Sequence, residues 1–384
     1  MSDPVQTDAR AQLAHLWQAG VDAVRGDACV AAALAEMRPD PPDAIIAVGK
    51  AAGAMARAAY AHFGPDVPGL IVTKYGHLAG IDLPPAARTI EAAHPVPDAN
   101  SLEAGSQLCA AVTQMSKTSH LLVLVSGGAS ALAEVPAPGL TLADVTGDNA
   151  RLLAQGLDIH AMNRHRITRS EIKGGKLLAR FQGARITVLA MSDVEGDDIG
   201  IIGSGLGAVP ATTSAANTTR IVASNAIARA AVAKAAMAAG LTVRENTEAL
   251  YCDVATAAQT IADTLRPDAP GLYIFGGEPT VVLPETPGRG GRNQALALLL
   301  AKHLRGQARV TALVAGTDGT DGPTEDAGGF ADGALWGHGA EDALTRADAG
   351  SYLAAHKALF TCGPTGTNVM DIALVRIDPE GDPA

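Results

Sequence analysis

Aromatic residues and positive charge are both scarce in this chain of 384 residues, and each shortage disfavours a class of protein. Aromatic residues make up only 3% of the chain, which argues against stacking on the bases of single-stranded nucleic acid. The formal net charge is −11, which disfavours a general surface for nucleic acid or acidic membranes. An anionic substrate would therefore need a local cluster of Lys and Arg.

Cysteine pairs and long apolar runs are absent from the sequence as well. Cys29, Cys109, Cys252 and Cys362 lie far apart and suit neither a disulfide framework nor a zinc site. No run approaches the ~18 apolar residues of a membrane helix, and no signal peptide is recognisable. We expect a cytoplasmic enzyme for a small molecule, with no nucleic-acid or membrane partner; a homodimer is left open.

Five apolar segments end abruptly in loops of Gly, Ser, Thr, Asp and Asn. Segments of this length and composition are typical of buried strands in parallel sheets, where ligands bind beyond the carboxyl ends. Glycine there admits an anion to the backbone, and Asp or Asn can hold a metal ion. Together the loops indicate an enzyme for a phosphorylated ligand. They are 126–130, 192–198, 276–278, 316–322 and 363–368.

Alternating strands and helices predict an α/β protein of two domains. The residues from about Thr7 to Glu36 predict one or two opening helices, and βαβ units follow. A second alternation begins with a predicted strand at Arg220–Ala223. We therefore place the boundary near Thr219, giving domains of residues 1–219 and 220–384.

Lys50 and the Ser126-Gly127-Gly128 loop are candidates for phosphate binding. Lys50 follows a predicted strand and a glycine and precedes a helix, so it could reach an anion, although a solvated lysine fits equally. The Ser-Gly-Gly loop is compatible with either a phosphate cradle or a plain turn. No G-x-x-x-x-G-K-[ST] segment occurs, which excludes a Walker ATPase.

Two further groups carry charge in a suggestive pattern. Arg166 and Lys173 belong to a basic stretch with helical spacing, which is either an anion patch or ordinary surface charge. Asp193 and Asp318 lie in strand-end loops and could bind Mg²⁺, or they could be acidic turns.

A glycine loop with two arginines precedes the predicted helix Ala295–Leu304. Cations oppose the helix dipole at this end, so we interpret Arg292 as a ligand-binding residue that recruits an anion. The segment Gly203–Ala208 imitates a dinucleotide fingerprint, but Pro210 stands where a helix should begin. A nicotinamide site in that segment is therefore disfavoured.

These motifs together resemble the glycerate 2-kinases of the MOFRL class, many of which are labelled hydroxypyruvate reductases. The resemblance runs from about Ala44 to Ile377. It is carried by 48–52, 72–77, 94–98, 126–128, 158–160, 172–175, 192–194, 290–294, 315–324 and 363–369.

The resemblance implies two α/β/α domains, the first Rossmann-like, with the active site in the cleft between them. It also implies ATP- and Mg²⁺-dependent phosphorylation of D-glycerate at its 2-hydroxyl, giving 2-phosphoglycerate and ADP. On this basis Lys50, Arg292 and Asp193 are predicted to be catalytic, and Asp193 and Asp318 to be metal ligands. Predicted substrate or phosphate ligands are Ser126, Gly127, Gly128, Arg166, Lys173, Asn293 and Gln294. Predicted nucleotide ligands are Gly276, Gly277, Glu278, Gly316, Thr317, Gly363, Thr365 and Asn368.

The chain departs from the usual family pattern at several positions. Ala129 replaces a glycine, Ala295 replaces a glutamate, and Met370 replaces an asparagine. Lys50 and Arg292 are kept, so a kinase stays the leading hypothesis. The alternatives are an NAD(P)H-dependent hydroxypyruvate reductase, a kinase for a related sugar acid, and a non-catalytic binder.

Overall fold

The computed structural model describes residues 4–147 and 159–380, which form two compact units. We call Arg25–Ser224 the parallel-sheet unit. Met1–Val24 together with Asn225–Ala384 form the mixed-sheet unit, so the chain leaves that unit after helix α1 (Pro4–Ala23) and returns to it at Asn225.

The parallel-sheet unit is a six-stranded sheet with helices between its strands, as the alternating pattern predicts. Asp98 caps one of these helices, because its side chain accepts from the backbone N–H of Ser101 at 3.0 Å. The strands are β1 (Ala44–Val48), β2 (Gly69–Lys74), β3 (Ala87–Ala92), β4 (His120–Val125), β5 (Arg185–Met191) and β6 (Ala216–Ala223). The helices are α2 (Gly26–Met37), α3 (Ala52–Phe63), α4 (Ala99–Thr113), α5 (Ala129–Leu132) and α6 (Ile159–Thr168).

The order of these strands is β3-β2-β1-β4-β5-β6, and all neighbours are parallel. This is the strand order of Rossmann-like sheets, so the predicted Rossmann-like first domain is confirmed. The order reverses between β1 and β4, which places Lys50 and the Ser126–Gly128 loop at the reversal point. The central strands β1, β4 and β5 are apolar and almost wholly buried, as expected for a sheet covered on both faces.

The mixed-sheet unit has its own six-stranded sheet and a separate hydrophobic core. The helix Arg292–His303 lies within that core, with Leu296, Leu298 and Leu300 fully buried. The strands are β7 (Val243–Leu250), β8 (Gly271–Gly277), β9 (Val310–Gly316), β10 (Gly328–Asp332), β11 (Leu359–Phe360) and β12 (Asp371–Ile377). The helices that follow α6 are α7 (Asn225–Ala238), α8 (Val254–Thr264), α9 (Arg292–His303), α10 (Ala340–Thr345) and α11 (Ala349–Ala355).

The expectation of parallel strands is wrong for most of this second sheet. Its order is β11-β10-β9-β12-β8-β7, and only β7 and β8 are parallel neighbours. Strands β10 and β12 run opposite to the others and separate them. Because β8, β9 and β11 still point the same way, their three glycine-rich loops leave from one edge of the sheet.

The chain divides differently from the predicted domains at two places. Strand β6 was predicted to open the second domain, but it pairs in parallel with β5 and completes the first sheet. Helix α1 was assigned to the first domain, but its buried residues Leu13 and Trp17 belong to the mixed-sheet unit. There α1 packs on α7 and on strands β9 and β12. A helix far away in sequence covers this sheet because its apolar face fits there, which local pattern cannot reveal.

Candidate active site

Loops at the carboxyl edge of the parallel sheet bring together three groups that were singled out from the sequence. Lys50 follows β1, the Ser126–Gly128 loop follows β4, and Asp193 follows β5. Asp193 lies directly beside Gly127, since a Cβ on that glycine would be 2.0 Å from Asp193 Oδ2. Ligands of open α/β sheets bind at this reversal of strand order. The structure thus groups these residues, while their roles stay predictions.

The backbone of the Ser126–Gly128 loop is tied to the Lys50 turn. The N–H of Lys50 donates to the carbonyl of Gly127 at 2.9 Å, and the N–H of Ala51 donates to Ser126 Oγ at 3.1 Å. Gly49 has φ of +134°, and a Cβ there would be 2.1 Å from Ser126 Oγ, so glycine is required. Because the Ser126 side chain is buried and engaged, a phosphate-binding role would fall to the main chain of this loop.

Lys173 is not placed as a surface clamp for a substrate. Its side chain is 2% exposed, and its Nζ donates to the buried carboxylate of Glu134. Burial lowers the pKa of Lys173, and Glu134 opposes that shift. Arg166 lies near enough for its charge to act on Lys173. Lys173 therefore neutralises a carboxylate inside the unit, and the prediction of substrate contact by its side chain is wrong.

In the mixed-sheet unit, the predicted loops surround Asp371, which sequence reasoning did not single out. Asp371 is the first residue of β12 and pairs with Gly277 at the end of β8 and Gly316 at the end of β9. It is 1% exposed. A buried carboxylate between two glycine-ended strands requires cationic partners.

Arg292 is the main partner of Asp371. Its Nε donates to Asp371 Oδ2 at 2.6 Å and an Nη to Oδ1 at 3.3 Å, a two-point contact that fixes the guanidinium plane. The other Nη lies 2.8 Å from Glu278 Oε1. Burial alone would lower the pKa of Arg292, but the charge of Asp371 and its hydrogen bond raise it. Arg292 is therefore a permanently charged and rigidly oriented group.

The N-terminus of α9 is occupied by a carboxylate of the protein itself. Asp321 accepts from the N–H of Asn293 at 3.0 Å and of Gln294 at 2.8 Å. This anion at the positive end of the helix offsets the cost that we attributed to ligand recruitment. The argument that Arg292 needs an external anion for helix stability is therefore wrong, although its position at the sheet edge keeps it a candidate.

The side chains of Asn293 and Gln294 point into the protein. The amide of Asn293 donates to Asp371 Oδ1 at 3.0 Å, and that of Gln294 donates to Thr324 Oγ1 at 2.8 Å. Both residues are at most 1% exposed. They hold the Arg292–Asp371 pair and the adjoining loop in place. Their buried amide groups do not face a position that a substrate could occupy.

The loops after β9 and β11, predicted to bind a nucleotide, are joined to each other by hydrogen bonds. Thr317 Oγ1 donates to the carbonyl of Met370 at 2.6 Å, and Thr365 Oγ1 donates to the carbonyl of Thr317 at 2.6 Å. The N–H of Met370 reaches Asn368 Oδ1 at 3.4 Å. Gly363 has φ of +73° and open space at its Cβ position. The threonine hydroxyls are thus used for loop structure, and the exposed backbone is left for a ligand.

The carboxylates of Asp371, Glu278 and Asp321 act on the charge of Arg292, and Asp318 lies in the loop after β9. Glu278 is 46% exposed, Asp318 is half-buried, and Asp321 and Asp371 are buried. Asp318 Oδ1 accepts from the N–H of Thr320 at 3.0 Å. Within residues 4–147 and 159–380, no group of three or more His, Cys, Asp or Glu side chains could hold a metal ion. Mg²⁺ commonly binds one or two carboxylates and completes its shell with water and phosphates, so single carboxylates suit it.

The contacts of three residues were not predicted from the sequence because their partners are remote in it: Asp371, Asp321 and His94. Asp371 precedes the apolar run 372–377, and a strand prediction for that run would have placed it at a sheet edge. His94 follows β3 and lies against Gly128, whose added Cβ would be 3.1 Å from His94 Cδ2. For Asp321 the only indication in the sequence was its position in the Asp-containing loop 316–322.

Two family models match the chain in sequence order. The domain of unknown function DUF4147 matches residues 12–239, and the MOFRL family matches residues 271–371. Among the described residues, no helix is long and apolar enough to cross a membrane.

Similar proteins include some named as glycerate kinases and others with a different name. D-glycerate 2-kinase of Thermotoga maritima is 34% identical over 377 residues, covering 86% of this chain and 89% of that protein. A protein of Agrobacterium vitis named provisionally as a hydroxypyruvate reductase is 36% identical over 385 residues, covering 87% and 98%.

A solved structure resembles the whole chain. The crystal structure of Thermotoga maritima glycerate kinase aligns with a TM-score of 0.87 and 30% identity, covering 97% of this chain and all of that chain. The order of the two family models, the identities and the fold agree with the motif resemblance. The chain is similar to a protein named D-glycerate 2-kinase over most of the length of both. It is therefore a member of the DUF4147–MOFRL family.

Proposed function

We propose that this protein is a glycerate 2-kinase, which transfers the γ-phosphoryl group of ATP to the 2-hydroxyl of D-glycerate. The glycerate oxygen forms the new P–O bond, the bond to ADP breaks, and the hydroxyl proton is released. The observation that carries the proposal is the agreement of the fold with Thermotoga maritima glycerate kinase over 97% of the chain. We propose ATP as the phosphoryl donor, Mg²⁺ as the required cation and the 2-hydroxyl of glycerate as the acceptor.

Lys50 and Arg292 suit the electrostatic demand of this reaction. Phosphoryl transfer requires positioning and neutralisation of charge that spreads over the phosphoryl oxygens. Lys50 stands at the reversal point of the parallel sheet, and Arg292 is held in orientation by Asp371. We assign both residues to the transferring phosphoryl group.

The acidic surroundings of Arg292 support a divalent cation as part of the nucleotide substrate. Triphosphate would be repelled by Glu278 and Asp318 unless a cation offsets the carboxylates. Asp318 and Asp193 are the residues that we propose to hold Mg²⁺, each as a single carboxylate ligand. Bound Mg²⁺ supplies charge neutralisation at the phosphates. The backbone of Gly276–Gly277, Gly316 and Gly363 would contact the nucleotide.

One assay separates the kinase from the reductase. The purified protein is given D-glycerate and Mg-ATP while ADP and 2-phosphoglycerate are quantified, and a parallel sample receives hydroxypyruvate and NADH. We expect ADP and 2-phosphoglycerate in equal amounts and no NADH oxidation. Oxidation of NADH without ADP formation contradicts the proposal.

Variants of Lys50 and Arg292 test the residue assignment. Lys50→Ala and Arg292→Ala should each abolish phosphorylation. Lys50 has no ion-pair partner within the described part of the chain, so Lys50→Ala should leave the unfolding transition unchanged. Lys117→Ala in the same unit is the matched control and should keep full activity.

A further inference from the structure

Two lysines and two histidines lie at the carboxyl edge of the parallel sheet, with Lys50 among them. Lys50, Lys74 and His94 follow β1, β2 and β3, which are adjacent strands. His77 lies in the turn after β2, and its Nδ1 is 3.0 Å from the carbonyl of Lys50. We call Lys50, Lys74, His77 and His94 the cationic cluster. Parallel strands bring these residues together because their carboxyl ends share one edge.

The His94 ring lies where the charges of the other three residues converge. Burial lowers the pKa of His94 to about 4, and the charges of Lys50, Lys74 and His77 act in the same direction. Gly128 lets the ring approach: with φ of +84° and a Cβ position 3.2 Å from Lys50 Cγ, it leaves no room for a side chain. The ring and the Lys50 stem thus flank the Ser-Gly-Gly loop.

Nearby carboxylates are directed elsewhere. Glu91 Oε1 accepts from the N–H of Gly76 at 2.8 Å, and Asp98 accepts from Tyr75 Oη at 2.6 Å. Asp193 lies against Gly127, one residue before the Gly128 that contacts His94. No ion pair joins Lys50, Lys74, His77 or His94 to an acidic side chain of residues 4–147 or 159–380. In a chain of net charge −11, such a cluster is a local exception.

We propose that the cationic cluster binds an oxyanion, the carboxylate of the hydroxy-acid substrate or the transferring phosphoryl group. Lys74, His77 and His94 thereby become binding residues beside Lys50. The inference rests on the proposed function only for the identity of the anion. A shared anion stabilises the like charges of Lys50 and Lys74, and the two histidine rings beside them can donate hydrogen bonds to it, which is the physical reason for holding these four side chains at one edge.

Binding of an anion has a measurable consequence for His94. An anion offsets the charges of Lys50 and Lys74, so the pKa of His94 rises and the ring takes up a proton. A full return of the pKa from about 4 to the unperturbed ~6.5 would give an uptake of about 0.9 proton per site at pH ~5.5; because the anion offsets the charges but not the burial, the uptake should be smaller than this. At pH ~7.5 the same change gives only about 0.1 proton. A bound anion therefore produces proton uptake that fades towards neutral pH.

The test is calorimetric titration in two buffers of different ionisation enthalpy, at both pH values. D-glycerate and sulfate are the probes; ATP is omitted, and sulfate stands for a phosphoryl group without titrating itself. We expect buffer-dependent heat at pH ~5.5 with at least one probe. Glycerate alone identifies a carboxylate site, and sulfate alone identifies a phosphoryl site.

Variants connect the uptake to this ring. His94→Asn should abolish it, whereas His62→Asn, at the far end of α3, should not. Lys74→Met keeps His94 but weakens the field on it, so uptake should be reduced. This second variant tests the proposal even if His94→Asn fails to fold.

Two outcomes separate this inference from the proposed function. Wild-type protein that phosphorylates glycerate but shows no buffer-dependent heat with either probe overturns the inference alone. Proton uptake that depends on His94 in a protein without kinase activity supports the oxyanion site and contradicts the kinase proposal.

Discussion

Replacement of Asp371 by Asn tests whether Arg292 is held by a buried ion pair. Asn keeps the size of the side chain but removes the charge. Its amide has only one acceptor oxygen, so its NH2 group must face either Arg292 or Asn293, both of which are donors. Asp371 now accepts from both of these residues, at 2.6 Å and 3.0 Å. The substitution therefore leaves Arg292 with one fewer charged partner and the site with one unmatched donor.

The expected magnitude follows from the burial of the two partners. Breaking a buried ion pair by removing one member costs about 3–5 kcal/mol. The Arg292 side chain is 33% exposed and keeps Glu278 as a second partner, so we expect less, about 2–3 kcal/mol. With a urea dependence of roughly 2 kcal/mol/M, the unfolding midpoint should fall by about 1 M.

The two tryptophans make the measurement specific to one unit. Trp17 and Trp336 both belong to the mixed-sheet unit, so their fluorescence follows the unfolding of the unit that contains Arg292. Phosphorylation should fall in parallel by about 10²-fold, because misplacement of a catalytic group is costly. Glu278→Gln is the matched control: it removes the exposed partner of the same guanidinium and should cost at most about 1 kcal/mol.

A clear result would refute this reasoning. If Asp371→Asn matches the wild type in both urea midpoint and kcat/KM, the buried ion pair neither stabilises the unit nor positions Arg292. If Glu278→Gln has the larger effect on stability, the exposed contact dominates and the burial argument is wrong.

Three further perturbations have defined outcomes. Gly128→Ala and Gly139→Ala place alanine at φ of +84° and +83° and should each cost about 1–2 kcal/mol by urea unfolding. Only Gly128→Ala should also lower kinase activity, since Gly139 has open space. Lys173→Met should destabilise the parallel-sheet unit by about 3–5 kcal/mol, as measured by unfolding followed with circular dichroism. The double variant with Glu134→Gln should regain most of the lost stability, because no unpaired buried charge is left. Burial raises the pKa of Asp321 to about 6, above the usual 3.8 of an aspartate, so the folded state keeps this proton to a higher pH than the unfolded state does. The contribution of Asp321 to the free energy of unfolding is full below pH ~4 and is lost as the pH rises through ~6. Unfolding followed by tryptophan fluorescence should show this decline in the wild type but not in Asp321→Asn.

The structure shows the surroundings of all three departures from the family pattern. The methyl group of Ala129 is buried at the start of α5, so the replaced glycine is not needed for backbone conformation there. Met370 has φ of +66°, which asparagine adopts more readily than methionine, but its side chain is 98% buried. Ala295 lies in the hydrophobic core of the mixed-sheet unit, so no carboxylate is available from that position.

Local pattern was sufficient for the parallel sheet and for the loops at its edge. The apolar segment Leu121–Val125, which precedes the 126–130 loop, forms strand β4 at His120–Val125, because an apolar run between turn residues leaves few alternatives. The same pattern could not give strand direction in the second sheet, since a buried antiparallel strand has the same composition as a parallel one. Strand β10 begins Gly328-Gly329 and was not predicted at all.

Local sequence was enough to predict the α/β class, the strand-end loops and the position of Lys50 and Arg292 beside glycine turns. These features depend on hydrophobic period and turn chemistry, which act over a few residues. Tertiary structure alone decided which charges are matched. It paired Arg292 with Asp371, buried Lys173 with Glu134, capped α9 with Asp321 and gathered Lys74, His77 and His94 around Lys50. Electrostatic energy depends on distance in space and on burial, and neither is written in the spacing of residues along the chain.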